Sequence, residues 1–261
     1  MVALGVIDDL IKRIEEETPN ISDIVAERVV MGLGYTCVLT STGHVGLCQT
    51  LLGELNIHCC RVTMRAGSLG GSKALELAQL AKSWDLSERI VGVATINALS
   101  APYIDGDYLK IERGNLIDLL DVRSDDLVVM AGNIKPFREP LKSKGCRLIV
   151  LERSPGLMDE DTLPDVAGEE FIPKADVLIV SGTSLANGTI DRVLSLAKRA
   201  REVALVGPSA SAHPKVLFSH GVTVIGCVKA VKPDMILKVV GEGGGTKELK
   251  PYTEQVVLRP L

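Results

Sequence analysis

The chain has 261 residues, a formal net charge of −4, 46% hydrophobic residues and only 3% aromatic residues. This length predicts one large domain or two ordinary ones, with a core built mainly from Val, Leu, Ile and Ala. The acidic balance and the scarcity of aromatic rings argue against a nucleic-acid partner, because neither a basic surface nor a base-stacking platform is expected.

The sequence contains no run of 18 apolar residues, and its N-terminal segment is amphipathic and charged. It therefore predicts neither a transmembrane helix nor a signal peptide. We expect a cytoplasmic protein without a membrane partner, whose six cysteines are reduced thiols.

The first half of the chain has the pattern of an α+β domain. It opens with an amphipathic helix whose apolar positions are Val6, Ile7, Leu10, Ile11 and Ile14. Two strands around Ser41-Thr42-Gly43 then predict a β-hairpin, and helical stretches follow at about 71–83 and 86–100. Strands followed by helices favour an antiparallel sheet.

The second half alternates apolar runs with helical spacers, which is typical of a parallel sheet with crossover helices. The expected strands are 126–132, 146–152, 176–182, 202–208 and 222–228. A last helix is expected at about 232–240, then a flexible loop at 241–248 and a final edge strand. The fold class predicted is thus α/β, with an N-terminal α+β domain at 1–112 and a Rossmann-like, doubly wound domain at 113–261.

Small or polar residues follow every predicted parallel strand, where an open α/β sheet binds its ligands. These strand ends are Gly132-Asn133, Glu152-Arg153-Ser154, Ser181-Gly182-Thr183, Gly207-Pro208-Ser209 and Gly226. A sheet edge without a ligand could carry larger apolar residues at several of these positions. The pattern therefore predicts a binding site at this edge.

The first of these turns, "AGNIKPF", lacks the G-x-G-x-x-G fingerprint, and Pro136 removes a backbone donor, so a bound NAD is not favoured. Glu152 ends the second strand, where an acidic residue could hold ribose hydroxyls. It could equally be a surface carboxylate beside Arg153.

The stretch "SGTSLANGTI" (181–190) could cradle an anion, because Gly182 and Gly188 permit close approach and Asn187 or Thr189 could contact it. The same residues could simply cap a helix. No P-loop lysine is present, so hydrolysis of a nucleoside triphosphate is not expected. His213 is expected at a solvent-facing turn, with contact to a ligand as the alternative.

Cysteine and histidine are concentrated in the first half, as Cys37, His44, Cys48, His58, Cys59 and Cys60. If the hairpin turned tightly on Thr42-Gly43, Cys37 would face Cys48 across the two strands. There is no C-x-x-C and no pair at zinc-finger spacing, so a preformed metal site is not favoured. Cys146 and Cys227 fall within predicted strands and are expected in the core.

Several segments together resemble one known family. They are "GLGYTCVL" and "GHVGL" near the start, "TINALS" at 95–100, "VLE" at 150–152, "SGTSLANGTIDRVL" at 181–194 and "GPSASAHPKVLFSHGVTVIGC" at 207–227. With these residues the chain resembles the putative heavy-metal chelation family, whose function is unknown, over nearly its whole length. The resemblance implies an N-terminal domain like that of enolase, followed by a Rossmann-like domain.

The resemblance also implies a site in the cleft between the two domains, holding a heavy-metal ion or a metal-chelating small molecule. Carried onto matching positions, it implies the ligand-binding residues Tyr35, Thr36, Asn97, Asn133, Glu152, Thr183, Asn187, Thr189 and Ser209. Hydroxyls, amides and a carboxylate suit a polar chelate better than a bare soft metal, which prefers thiolate. The cysteines are not part of the recognised pattern.

Three functions remain open. The first and favoured one is binding or processing of a metal chelate or similar polar small molecule between the domains. The second is an enzyme that uses an adenosine-type cofactor, such as a methyl donor, in the Rossmann-like half. The third is a non-catalytic module; no reaction is specified by the sequence, and a homo-oligomer is left open.

Overall fold

The computed structural model describes residues 5–55 and 62–261. Their strands form two sheets, and in chain order they are β1 (Ala26–Met31), β2 (Tyr35–Thr40), β3 (Val45–Gln49), β4 (Leu109–Glu112), β5 (Leu127–Ala131), β6 (Arg147–Glu152), β7 (Thr162–Pro164), β8 (Val177–Ser181), β9 (Glu202–Val206), β10 (Val224–Ala230) and β11 (Thr253–Pro260).

The α-helices cover both sheets, and short 3₁₀ turns extend several of them. In chain order they are α1 (Val6–Glu17), α2 (Ala74–Gln79), α3 (Leu86–Ser100), α4 (Leu116–Leu119), α5 (Lys135–Ser143), α6 (Gly168–Phe171), α7 (Thr183–Asn187), α8 (Ile190–Leu196), α9 (Pro214–Ser219), α10 (Pro233–Gly241) and α11 (Thr246–Leu249). Within the described residues, none of these helices has the length and apolar character needed to cross a bilayer.

The larger sheet has eight strands in the order β4-β11-β10-β9-β8-β5-β6-β7, and its six strands from β10 to β7 are parallel. The smaller sheet is antiparallel in the order β1-β2-β3. The predicted α/β fold class, with an antiparallel sheet in the first half and a mostly parallel one in the second, is confirmed.

One expectation for the larger sheet is wrong. The last strand, β11, is not an edge strand, because it pairs antiparallel with β10 on one side and with β4 on the other. Strand β4 lies in the polar segment 105–121, for which the sequence predicts no strand, and two of its four residues are exposed. The true edges of the sheet are β4 and the three-residue β7.

Helix α3 is the central element of the first half, because its side chains are buried on nearly every face. Asp85 begins the helix by accepting a hydrogen bond from the backbone N–H of Ser87 at 2.8 Å. Strand β3 approaches the helix at Gly46, where a Cβ atom would lie 2.1 Å from the carbonyl oxygen of Ala94. Glycine at this position therefore sets the distance between the small sheet and α3.

Cys37 and Cys48 do not face each other across the hairpin, because the hairpin does not turn tightly on Thr42-Gly43. The loop has three residues, Ser41 to Gly43, and Gly43 adopts a left-handed φ of 81°. This loop is one residue longer than a tight two-residue turn, so Cys37 pairs with Leu47 while Cys48 pairs with Thr36. A shift of one residue reverses side-chain direction, and the two cysteines lie in different hydrophobic clusters.

The two halves of the chain share their packing. Helix α10, in the second half, contributes Ile236, Leu237 and Val240 to a cluster that also contains Tyr35 and Cys37 of the small sheet. The small sheet is therefore covered on one face by α3 and on the other by a helix from the second half. The division into domains at 1–112 and 113–261 stays a prediction.

Candidate functional site

A cleft of about 1230 Å³ lies at the carboxyl ends of β5, β6, β8 and β9, and the small sheet forms part of its wall. Seven of the nine residues predicted for the site line this cleft. They are Tyr35, Asn133, Glu152, Thr183, Asn187, Thr189 and Ser209. Their roles in binding a ligand stay predictions, but the structure brings them to one space.

The other two predicted residues, Thr36 and Asn97, do not line the cleft. Thr36 points to the opposite face of β2 from Tyr35 and lies 3.2 Å from the hydroxyl of Thr50. Asn97, on α3, donates from Nδ2 to the carbonyl oxygens of Leu47 at 2.7 Å and Ser209 at 3.0 Å. Asn97 therefore holds the strand and the loop that border the cleft.

Two hydrogen bonds connect the small sheet to the cleft-lining parts of the second half. The hydroxyls of Tyr35 and Thr246 are 2.8 Å apart, which ties β2 to α11. The backbone N–H of Gln49 donates to Ser209 Oγ at 2.9 Å, which ties β3 to the loop after β9. The side chains of Tyr35 and Ser209 therefore help to hold the wall of the cleft together.

Glu152 is buried, with 7% of its surface exposed, so it is not a surface carboxylate. Its Oε1 accepts from the backbone N–H groups of Arg153 and Ser154, at 2.8 and 2.7 Å, and its Oε2 accepts from that of Asn133 at 2.8 Å. Three backbone donors therefore occupy most of its acceptor capacity. The carboxylate orders the turns after β5 and β6.

Asn133 follows Gly132, whose positive φ of 102° and close approach to Ser181 leave no room for a side chain. Asn133 Nδ2 donates to the carbonyl oxygen of Leu157 at 2.7 Å, which fixes the orientation of the amide. Its Oδ1 is buried and has no hydrogen-bond partner. This oxygen is an unused acceptor in a residue that lines the cleft.

The stretch 181–190 forms a short helix of its own rather than a single capped turn. Helix α7 ends at Gly188, which is left-handed with φ of 79°, and α8 follows. The N-cap residues Gly182 and Thr189 make no side-chain cap hydrogen bond. The side chains just before them do accept from the helix starts, since Ser181 Oγ accepts from the backbone N–H of Thr183 at 3.4 Å and Asn187 Oδ1 from that of Thr189 at 3.3 Å. Asn187 Oδ1 also accepts from the hydroxyl of Thr189 at 2.8 Å.

The space beside Gly188 is filled by the Arg89 guanidinium, so this glycine makes room for a side chain of the protein and not for a ligand. A Cβ on Gly188 would lie 2.4 Å from Arg89 Nη2, and Arg89 Nε donates to the carbonyl oxygen of Ala186 at 2.6 Å. Gly182 likewise packs against the backbone of Ala210. Both glycines permit packing within the protein.

Ser184 is a cleft residue that the sequence analysis did not select. It is 5% exposed and lines the cleft, and its Oγ is buried without a hydrogen-bond partner. The sequence offered only a run of small polar residues, in which Ser184 had no distinguishing feature. Its orientation depends on the short helix α7.

His213 is fully buried, so the expectation of a solvent-facing turn is wrong. Its Nε2 lies 3.1 Å from Glu17 Oε2, and its ring packs against that of Tyr103 at a centroid distance of 4.2 Å. Burial lowers the pKa of His213. The residue anchors the loop after β9 to α1 and does not line the cleft.

The described residues do not fit a bare soft metal ion. Within 5–55 and 62–261 there is no group of three or more His, Cys, Asp or Glu residues arranged to hold a metal. Burial raises the pKa of Cys37, Cys48 and Cys227 to about 12, so these thiols remain protonated. The predicted candidates His58, Cys59 and Cys60 lie outside the described residues.

Comparison with known proteins agrees with the resemblance seen in the sequence. Residues 14–100 match the DUF4213 family model and residues 115–259 match the DUF364 model, both described as putative heavy-metal chelation. An uncharacterized protein from Methanocaldococcus jannaschii, MJ0500, is 32% identical over 211 residues, which are 78% of this chain and 78% of that protein.

Two solved structures share the fold over almost the whole chain. A DUF364 protein of unknown function from Pyrococcus horikoshii is 28% identical, with a TM-score of 0.84 over 98% of this chain and 100% of that one. A DUF364 protein of unknown function from Desulfitobacterium hafniense is 22% identical, with a TM-score of 0.78 over 97% and 98% of the two chains. The chain therefore belongs to the DUF364 family, described as putative heavy-metal chelation.

Proposed function

We propose that the protein binds a metal chelate, or a polar small molecule that chelates a heavy metal, in the cleft at the carboxyl ends of the parallel strands. The observation that carries the proposal is the pair of unused polar atoms, Ser184 Oγ and Asn133 Oδ1, in two residues that line one cleft. A buried polar atom without a partner costs stability, and a ligand that satisfies it recovers that cost.

The donor set supports a chelate rather than a bare ion. The residues that line the cleft offer hydroxyls and amides, including Thr183 and Asn187, and those groups recognise the oxygen and nitrogen atoms of an organic ligand. The cysteines of the described chain are dispersed and protonated. Ligand atoms would therefore supply the coordination of the metal, while the protein recognises the outside of the complex.

The family membership supports the same direction, because the matched models carry the description of putative heavy-metal chelation. An adenosine cofactor is less well supported. Three backbone N–H groups occupy Glu152, the residue that would have held the ribose. The turn at Gly132 also lacks the glycine pattern of a pyrophosphate site.

The proposal is tested by isothermal titration calorimetry with Ni²⁺, Co²⁺ and Cd²⁺, each added alone and as the aminopolycarboxylate chelate. We expect a chelate to bind the wild type and to bind Ser184→Ala and Asn187→Ala at least tenfold more weakly. Binding of the bare ions only, with affinities that both substitutions leave unchanged, would overturn the proposal.

Ser100→Ala is the matched control. Ser100 Oγ is also buried without a partner, but Ser100 does not line the cleft. Ser184→Ala and Ser100→Ala each remove an unsatisfied hydroxyl, so each variant should be as stable as the wild type, to within about 1 kcal/mol. Only Ser184→Ala should weaken binding of the chelate.

A further inference from the structure

We infer that the ligand of this cleft is an anion, so that a metal is carried there as a negatively charged chelate; this rests on the proposed function. The inference comes from the charges around the cleft. The charged residues that line it are five cations, Lys135, Arg153, Arg192, Lys247 and Lys250, and four carboxylates, Glu54, Glu152, Asp165 and Glu169. The whole chain, by contrast, carries a net charge of −4.

All four carboxylates of the cleft are already engaged. Three backbone N–H groups donate to the carboxylate of Glu152. Arg153 donates from Nε to Asp165 at 2.7 Å and lies 3.8 Å from Glu54, while Arg192 donates from Nε to Glu169 at 2.8 Å. Protein groups therefore use the negative charge that could attract a cationic ligand.

The three lysines are different, because none of them forms an ion pair with a carboxylate of the described residues at 4.0 Å or less. Near Lys135, the carboxylate of Asp159 accepts two hydrogen bonds from Arg138, at 2.7 and 2.9 Å. On α11, Glu248 accepts from the backbone N–H of Gly245 at 3.0 Å and forms no ion pair with Lys247 within 4.0 Å, although the charge of Lys247 adds to this hydrogen bond in lowering the pKa of Glu248.

The position of α11 is fixed, and this places Lys247, on the helix, and Lys250, directly after it, in the cleft wall. Thr246, the first residue of α11, is hydrogen-bonded to the hydroxyl of Tyr35, and Leu249 is buried in the cluster beneath the small sheet. Lys247 and Lys250 are both exposed and line the cleft. Together with Lys135 they leave five cations against four carboxylates among the residues that line the cleft, and this positive excess attracts an anion.

The test uses two cobalt(III) complexes that exchange their ligands slowly and differ in charge. One is the ethylenediaminetetraacetate complex, with charge −1, and the other is the tris(ethylenediamine) complex, with charge +3. Calorimetry at low ionic strength compares both with the wild type. We expect the anionic complex to bind and the cationic complex to bind at least tenfold more weakly.

The lysines are tested with the triple variant Lys135→Gln, Lys247→Gln and Lys250→Gln. We expect it to bind the anionic complex about tenfold more weakly, since three exposed charge contacts together contribute about that factor. The matched control replaces Lys12, Lys110 and Lys198, which are exposed and lie outside the cleft, and should retain wild-type affinity.

Three outcomes would overturn the inference in distinguishable ways. If the cationic complex binds as tightly as the anionic one and Ser184→Ala weakens it, the cleft binds chelates but does not select anions. If the cleft variant and the control variant weaken binding of the anionic complex equally, the affinity depends on the net charge of the whole chain and not on the lysines of the cleft. If neither complex binds the wild type, the proposed function fails together with the inference.

Discussion

The side chain of Asn97 donates to the carbonyl oxygen of Ser209 at 3.0 Å and so connects the central helix α3 to the loop after β9. The same Nδ2 donates to Leu47 on β3 at 2.7 Å. One amide group therefore sets the relative position of a strand from the small sheet and a loop from the large sheet. Both elements border the cleft.

Asn97→Ala should destabilise the protein by about 2–4 kcal/mol, because it leaves two buried carbonyl oxygens without a donor. Urea unfolding measures this change. Thr95→Ala is the control on the same helix, since it removes one hydrogen bond, to Val91 of α3 itself, and should cost about 1 kcal/mol. Equal costs for the two variants would show that Asn97 does not hold the two elements together.

Gly46→Ala should destabilise the protein by about 3 kcal/mol, because its Cβ would lie 2.1 Å from Ala94 O and 2.2 Å from Ala98 N. Gly43→Ala provides the comparison within the same hairpin. Gly43 has a positive φ but no atom within 4 Å of the added Cβ, so its substitution should cost only about 1 kcal/mol. Thermal and urea unfolding would refute the packing argument if Gly43→Ala were the more damaging change.

The pair of His213 and Glu17 should make stability depend on pH. Burial lowers the pKa of His213 below its ordinary value of 6.5, so below that pH the unfolded chain binds the proton more readily than the folded one. Stability should therefore fall as pH decreases from 7.5 to 5.5. His213→Gln removes this titration, and its free energy of unfolding should change less over the same interval.

Glu17 should add a further loss at lower pH. Burial would raise its pKa, but hydrogen bonds from Arg13 and His213 outweigh burial and lower the pKa below 4.5. The stability that Glu17 contributes is present above its ordinary pKa and is lost as pH falls below it. If the free energy of unfolding changed equally with pH in the wild type and in His213→Gln between pH 7.5 and 5.5, His213 would not be the source of the loss of stability in that interval.

The buried cysteines should be unreactive in the folded protein. A pKa of about 12 for Cys37, Cys48 and Cys227 reduces the thiolate fraction at pH 8 by about a thousandfold relative to an exposed thiol. Alkylation by iodoacetamide, followed by mass spectrometry of peptides, should label them only after unfolding. Rapid labelling of any of the three in the native protein would contradict its placement in the core.

Cys146 serves as the internal reference in that experiment. It is half-buried, and the strand it was expected to join begins one residue later, at Arg147. Burial raises its pKa as well, but part of the side chain can meet the reagent. It should therefore react before the three core cysteines.

The parts of the fold that follow from local patterns could be predicted from the sequence. The five apolar positions of α1 are all buried, as their helical spacing predicted. The five principal parallel strands were also predicted, because strands buried on both faces leave continuous apolar runs. Both signals lie within single segments of the chain.

Features that depend on long-range pairing could not be predicted. One extra loop residue, Ser41, reverses the direction of Cys48 relative to Cys37, and the sequence does not determine that loop length. His213 looked like a turn residue because its partners, Glu17 and Tyr103, lie far away in the chain. Strand β4 has too few apolar residues to be recognised without its partner β11.

The candidate site was predictable in its location but not in its details. The rule that ligands bind at the carboxyl ends of parallel strands gave the correct sheet edge for Asn133, Thr183 and Ser209, which line the cleft. The sequence could not separate residues that face the cleft from those that support it. Asn97 and Thr36 support the cleft from behind its wall, whereas Ser184 lines it.

The most direct test of the central claim is a crystal structure of the protein grown with the anionic cobalt(III) ethylenediaminetetraacetate complex, with data collected at the cobalt absorption edge. The account predicts one strong anomalous peak inside the cleft, with the complex in contact with Ser184 or Asn133. A peak at the cysteines, or only on the outer surface while the cleft remains empty, would contradict it.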